Sequence, residues 1–280
     1  MNADELPTLR EALEAHGLWA NKALGQHFLL DLNITRRIAK SAGDIAGKPV
    51  MEIGPGPGGL TRALLEAGAD PLIVIEKDAR FLPLLEPLTA WSSGRLRIVQ
   101  GDAIAADEAA LLGGARAALV SNLPYNVGTP LLVKWLKAPA WRGPMTLMFQ
   151  KEVAQRIVAK PGSDAYGRLA VLAQARCDCR LEFTVPARAF TPPPKIASAI
   201  VRLTDRPDPY AHLDALERVT AAAFGQRRKM LRAALKSLTP DAEALLNEAE
   251  LTPTARAEEV DQAGFRRLAD AWRARAATAA

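Results

Sequence analysis

Asn122-Leu123-Pro124-Tyr125 is the stretch of this 280-residue chain best suited to chemistry on a small ring. It follows Ala117-Ala118-Leu119-Val120-Ser121, an apolar run with the length of a short buried strand. Ligands of open α/β sheets bind at the carboxyl ends of the strands, where this tetrapeptide would lie. The Asn122 amide oxygen can accept a hydrogen bond from an exocyclic amine, and a backbone carbonyl in the Leu123-Pro124 turn can accept another. The Tyr125 face can stack on a planar ring, a contact worth ~1–3 kcal/mol per base. Asn and Pro are also ordinary turn formers, so the tetrapeptide alone is equally a plain strand-to-loop turn. What lies upstream separates these readings.

Pro49-Val50-Met51-Glu52-Ile53 is predicted as a buried strand running into Gly54-Pro55-Gly56-Pro57-Gly58-Gly59, with helical spacing from Leu60 to Ala67. Strand, glycine turn and helix make the first unit of a nucleotide-binding α/β fold. Gly54, Gly56 and Gly59 satisfy G-x-G-x-x-G, so a nicotinamide-dependent oxidoreductase must be weighed. Two prolines in the turn remove backbone donors that a pyrophosphate needs, and Glu52 places an acid beside it. The catalytic His, Tyr/Lys or metal constellation of such an enzyme is not found either. The loop suits a nucleotide without phosphates, such as S-adenosylmethionine. Glu76 ends the predicted strand 71–76, 22 residues past Gly54. That is the place for a carboxylate accepting both ribose hydroxyls, although a helix-initiating acid would look the same. Asp102 ends a third strand, 97–102, and can accept from an adenine amine.

The remaining totals narrow the partners. Apolar residues make up 49% and charged residues 24%, ordinary values for a soluble globular chain. Net charge is +5, yet residues 134–195 hold eleven Lys/Arg against four Asp/Glu, so the rest is net acidic by two. Arg227, Arg228, Lys229, Arg232 and Lys236 form a second cluster without an acid between 225 and 238. Such clusters point to a polyanion, nucleic acid first, with a solvated helix face as the plain alternative. Cys177 and Cys179 sit one residue apart, and His16, His27 and His212 are scattered, so neither disulfides nor a metal is expected. No apolar run nears the ~18 residues of a membrane span, and 1–10 lacks the apolar core of a signal peptide. A cytoplasmic protein is expected.

The elements that position these residues follow in order. Residues 5–20 read as an amphipathic helix, 22–29 as an apolar segment lying across the main domain, and Asp31 to Ala42 as a helix. A fifth strand, 145–150, passes into a basic helix 151–160, and Tyr166-Gly167-Arg168 leads another. Strands 179–185 and 197–203 flank Phe190-Thr191-Pro192-Pro193-Pro194-Lys195, a stiff loop that presents Phe190; a core Phe is the plainer reading of that residue. Beyond Arg206-Pro207-Asp208-Pro209 only helices remain: 214–224, 227–238, 241–249 and 262–276. The expected architecture is α/β, with domains 1–205 and 206–280.

Taken together, these motifs resemble the small-subunit ribosomal RNA adenine dimethyltransferases of the KsgA/RsmA family. The resemblance runs from Gly25 to about Ala269 and is carried by six stretches. They are Gly25-Gln26-His27-Phe28-Leu29, Glu52-Ile53-Gly54-Pro55-Gly56, Asn122-Leu123-Pro124-Tyr125, Gln150-Lys151-Glu152-Val153, Tyr166-Gly167-Arg168-Leu169 and the Phe190 loop. It implies a class I methyltransferase sheet, Rossmann-like and mostly parallel with seven strands, and a small C-terminal helical domain that binds RNA or the ribosome. It implies S-adenosylmethionine as cofactor, held by His27, Leu29, Gly54, Glu76, Asp102 and Asn122. His27 stands where the family usually has Asn; an imidazole can donate to the cofactor's methionine carboxylate, with a charge that depends on pH. The implied reaction dimethylates N6 of two adjacent adenines in the 3′-terminal hairpin of the RNA. Asn122, Leu123, Pro124, Tyr125 and Phe190 would form the catalytic pocket, and an extruded base would stack on Tyr125 and Phe190. Lys151, Arg156, Arg168, Lys195, Arg227, Arg228 and Lys229 are the expected RNA contacts, on a monomer that meets the immature small subunit. A large-subunit RNA methyltransferase, which should lack the basic helix 225–231, and a mainly non-catalytic assembly factor are the alternatives.

Overall fold

The computed structural model describes residues 6–19, 27–138, 140–226 and 228–278. Helix α1 (Leu9–Ala15) starts with a reciprocal cap, the Thr8 hydroxyl accepting from the Glu11 amide while the Glu11 carboxylate accepts from that of Thr8. After strand β1 (Phe28–Leu29), helix α2 (Leu32–Ser41) is capped by Asp31, whose carboxylate accepts the Asn33 N–H. Strands and helices then alternate: β2 (Val50–Ile53), α3 (Gly59–Glu66), β3 (Leu72–Glu76), α4 (Leu82–Trp91), β4 (Leu96–Gln100), α5 (Glu108–Leu111), β5 (Ala117–Asn122), α6 (Gly128–Lys137) and β6 (Arg142–Gln150). Every residue of β2 and β3 is buried, as apolar strands covered on both faces require. Then come α7 (Lys151–Ile157), α8 (Arg168–Arg176), β7 (Cys177–Val185), β8 (Phe190–Thr191), β9 (Ser198–Asp205) and four helices, α9 (Leu213–Gly225), α10 (Leu231–Ala234), α11 (Ala242–Glu248) and α12 (Gln262–Thr278).

Seven strands form one sheet in the order β4-β3-β2-β5-β6-β9-β7. From β4 to β6 neighbouring strands are parallel, and β9 runs antiparallel to β6. The order reverses between β2 and β5, since β3 and β4 lie on one side and β6 on the other; such a switch point opens a crevice at the strand ends. The seven-stranded, mostly parallel sheet is the one expected from the sequence. A separate two-stranded ladder pairs β1 with β8, Phe28 opposite Thr191 and Leu29 opposite Phe190. Sequence periodicity passed over α4, where Pro83 and Pro87 obscure the helical spacing.

The chain forms two compact units, Met1–Ala154 with Arg180–Thr204, and Gln155–Cys179 with Asp205–Ala280. The sequence gives a division near 206; residues 155–179, placed there in the first domain, belong with the later helices. Their apolar side chains explain it, because fully buried Tyr166 donates to the Val260 carbonyl and packs edge-on against Phe224, itself stacked on Phe265. The predicted helix 227–238 also differs. α9 ends at Gly225, Met230 bridges Arg256, and the Leu231 and Arg232 amides donate to the Ala255 and Pro253 carbonyls. Those amides therefore never join a helical ladder upstream, and α10 begins only at Leu231. Among the described residues, no helix is long and apolar enough to cross a membrane.

Candidate active site

A cleft of about 550 Å³ opens in the first unit at the β2/β5 switch point. Its walls include His27, Leu29, Gly54, Glu76, Asp102 and Asn122, together with Leu123, Pro124 and Tyr125. The glycine loop forms one wall because its backbone turns through left-handed angles: Gly54 has φ +66° and Gly56 has φ +52°. A Cβ on Gly54 would also touch the Pro124 ring at 3.4 Å, so this glycine lets the two halves of the cleft approach.

Glu76 sits at the end of β3 with both carboxylate oxygens fixed. Oε2 accepts the Gly56 N–H at 3.1 Å and Oε1 the Asp78 N–H at 2.8 Å. Burial pushes its pKa up, and the Asp78 and Gly56 amides act against that rise. Each oxygen keeps a lone pair for a further donor. Asp102 is more open: Oδ1 accepts the Ile104 N–H at 2.9 Å and Oδ2 the Lys77 ammonium at 2.8 Å. The Lys77 bond holds the Asp102 carboxyl below its usual range. Glu52 lies deeper, accepting from the Thr61 hydroxyl at 2.7 Å, and burial pushes its pKa up to about 8. Neutral at pH 7, Glu52 does not supply the repulsion towards a phosphate that its position in the sequence suggested; Glu76 is the acid at that turn. A positive-φ loop approached closely, a carboxylate whose two oxygens each keep a lone pair for a hydroxyl and a half-buried acid beyond it fit the nucleoside of S-adenosylmethionine.

The other end of the cleft is built from rings. Asn122 closes β5, and the Pro124 carbonyl accepts from the Val127 and Gly128 amides, starting α6. The Tyr125 hydroxyl pairs with Ser198 Oγ at 2.8 Å; burial, the larger influence, raises its pKa. His27 lies 5.7 Å from Tyr125, ring centre to ring centre, tilted by 33°. Its Nδ1 is 2.7 Å from the Pro192 carbonyl, which can only accept, so Nδ1 carries the hydrogen. Nδ1 is thus engaged within the protein, and Nε2 is the His27 atom left for a ligand.

Phe190 is not in the cleft. It is 2% exposed, paired with Leu29 and packed into the main core, the plainer of the two readings of this residue, and it offers no ring face to the cleft in this structure. The β1–β8 ladder turns it inward, leaving Pro192 and Ser198 as the parts of that loop that reach the site. Sequence reasoning missed both, along with Thr61 and Lys77.

The expected RNA contacts divide. Lys151, Arg156, Lys195, Arg228 and Lys229 are exposed. Arg168 is exposed as well and also pairs with the Glu217 carboxylate, a tie between α8 and α9. Arg232 reaches Glu243 at 3.4 Å, so the 225–238 cluster is not free of acids in space. Arg227 lies outside the described residues, as do Gly25 and Gln26.

The comparisons with known proteins agree with this geometry. The chain is 64% identical over 278 residues to the ribosomal RNA small subunit methyltransferase A of Phenylobacterium zucineum, covering 98% of this chain and 96% of the relative. A dimethyladenosine transferase from Plasmodium falciparum superposes with a TM-score of 0.72 at 25% identity, covering 86% of this chain and 96% of that one. The 23S rRNA methyltransferase ErmE superposes with a TM-score of 0.66 at 28% identity, over 88% and 99% of the two chains. With its class I methyltransferase sheet, its cleft at the switch point and a ribosomal RNA adenine dimethylase profile matching residues 17–273, the chain belongs to the ribosomal RNA adenine dimethylase family.

Proposed function

We propose that the protein dimethylates N6 of two adjacent adenines in the 3′-terminal hairpin of small-subunit ribosomal RNA. The carrying observation is the meeting, in one cleft, of His27, Leu29, Gly54, Glu76 and Asp102 with Asn122-Leu123-Pro124-Tyr125. When bound, S-adenosylmethionine supplies a methyl group already activated on a positive sulfur. Glu76 would hold its ribose hydroxyls, Asp102 its adenine amine, and Gly54, Leu29, His27 and Asn122 the rest.

The adenine N6 lone pair is delocalised into the ring and attacks poorly. The Asn122 amide oxygen accepts from the amine, and a backbone carbonyl accepts its second hydrogen. The Pro124 carbonyl is already engaged by Val127 and Gly128, which points to that of Leu123. Two acceptors would favour a more tetrahedral nitrogen in the first transfer; the monomethylated amine keeps one hydrogen, so one acceptor would serve the second. Tyr125 stacks the extruded base, and the protein chiefly supplies alignment. Each transfer forms one N–C bond, breaks one S–C bond and releases one N6 proton to water.

The exposed cations Lys151, Arg156, Lys195, Arg228 and Lys229, with Arg227, provide the RNA contacts, and 206–280 serves as the RNA- or ribosome-binding domain of a cytoplasmic monomer acting on immature small subunits. Replacing Arg228 and Lys229 by Ala should weaken subunit binding and flatten its log–log salt dependence by about 0.7–0.9 per lost contact. An unchanged slope would leave that turn as a solvated surface. The likeness to ErmE favours large-subunit RNA as the second reading. Labelled cofactor and unmethylated ribosomal subunits of both sizes, followed by nucleoside analysis, decide it. Dimethyladenosine in small-subunit RNA supports the proposal; label confined to large-subunit RNA, or absent, removes it.

A further inference from the structure

We propose that Ser198 is a positioning residue for the Tyr125 ring, an inference that rests on the reading above. Ser198 is the first residue of β9, is fully buried, and sits opposite Gln150 in the β6–β9 ladder, so its backbone is fixed by the sheet. Its Oγ lies 2.8 Å from the Tyr125 hydroxyl. At its other end Tyr125 follows Pro124, whose carbonyl is bound by the first amides of α6. A phenol ring tethered at both ends loses the swing of its tip, because the hydroxyl lies on the long axis and the hydrogen bond fixes where that axis points. The place at which the face is offered to the base is therefore set by Ser198.

The same loop holds the neighbouring ring. Pro192, six positions before Ser198 in the sequence, fixes His27 through its carbonyl, and the two rings stand 5.7 Å apart at 33°. The stretch 190–198 thus serves the pocket by orienting two rings from behind, while its own Phe190 stays in the core. A merely structural hydrogen bond would satisfy a buried serine hydroxyl and a half-buried phenol and leave turnover alone. An orienting one matters to the stacked base and not to the cofactor.

The test measures single-turnover methylation of small subunits at saturating cofactor, alongside cofactor-product affinity by calorimetry. Ser198→Ala should lower the rate about three- to tenfold, the worth of one hydrogen bond, with affinity changed less than twofold. Tyr125→Phe, which removes the same bond and keeps the aromatic face, should lose as much. The double variant should lose no more than either single variant, and Ser198→Thr should restore part of the rate. Should Ser198→Ala fold poorly, Tyr125→Phe and Ser198→Thr still carry the comparison. A parental rate in both Ser198→Ala and Tyr125→Phe, multiplying losses in the double variant, or a loss confined to cofactor affinity would overturn the inference. A parent protein that forms no dimethyladenosine would instead defeat the function proposed above.

Discussion

At the ribose end of the cleft the polar groups are held by near neighbours in the chain, whereas around the rings of His27 and Tyr125 they are held from far away. Glu76 takes its amides from positions 2 and 20 residues distant, while His27 and Tyr125 are held across 165 and 73 residues. Short-range holding comes with the strand-turn-helix unit itself. Long-range holding has to be assembled by the whole first unit. The two ends should therefore answer differently to substitution.

Asn122→Ala tests the division most severely. With the amine no longer oriented, turnover should fall about 10²-fold, the scale for losing one preorganised polar group, while cofactor affinity changes only a few-fold. Equal losses in the two measurements would move Asn122 to the cofactor end. Glu76→Ala should do the converse. Two ribose hydroxyls lose a charged acceptor worth ~1.5–3 kcal/mol, a 10- to 150-fold weaker Kd by calorimetry. Unchanged affinity would take Glu76 out of the site.

Glu52→Gln has the smallest effect on ligands and the clearest on stability. The folded protein keeps the Glu52 proton up to about pH 8, whereas the unfolded chain releases it near 4.5. Stability from this group is thus full below the lower value and lost as pH rises towards the upper one, by at most ~1.4 kcal/mol per pH unit. Gln should flatten that decline, read as urea midpoints across the same window. Parallel slopes in parent and variant would show that Glu52 is ionised after all.

This division also marks what could be read from the sequence. The glycine turn, Glu76 and Asp102 lie at strand ends whose order follows from alternating apolar runs, so local pattern sufficed to bring them into one cleft. Asn122 and Tyr125 were legible for the same reason. Phe190 was misplaced because a three-proline loop tells where the chain stiffens but not which way its first side chain turns; pairing with β1 decided that. Ser198 and Pro192 carry no chemical signature, and only the tertiary pairing brings them to the rings. Downstream, charge was legible and shape was not. The apolar and cationic spacing of 227–238 reads as a helix, yet the 253–255 loop captures the amides that would have continued it.

The β1–β8 ladder has a consequence for how the protein is made. Its two partners are among the most widely separated segments of the first unit, and joining them closes a loop of about 160 residues. Such a closure is entropically late, since contacts of high sequence separation form only after local ones have shortened the path. On the ribosome, β2 to β6 can pair as they emerge, but His27 has no carbonyl to bind and Tyr125 no serine until the chain passes residue 198. The base end of the cleft is therefore finished last, when nearly all of the first unit has been synthesised.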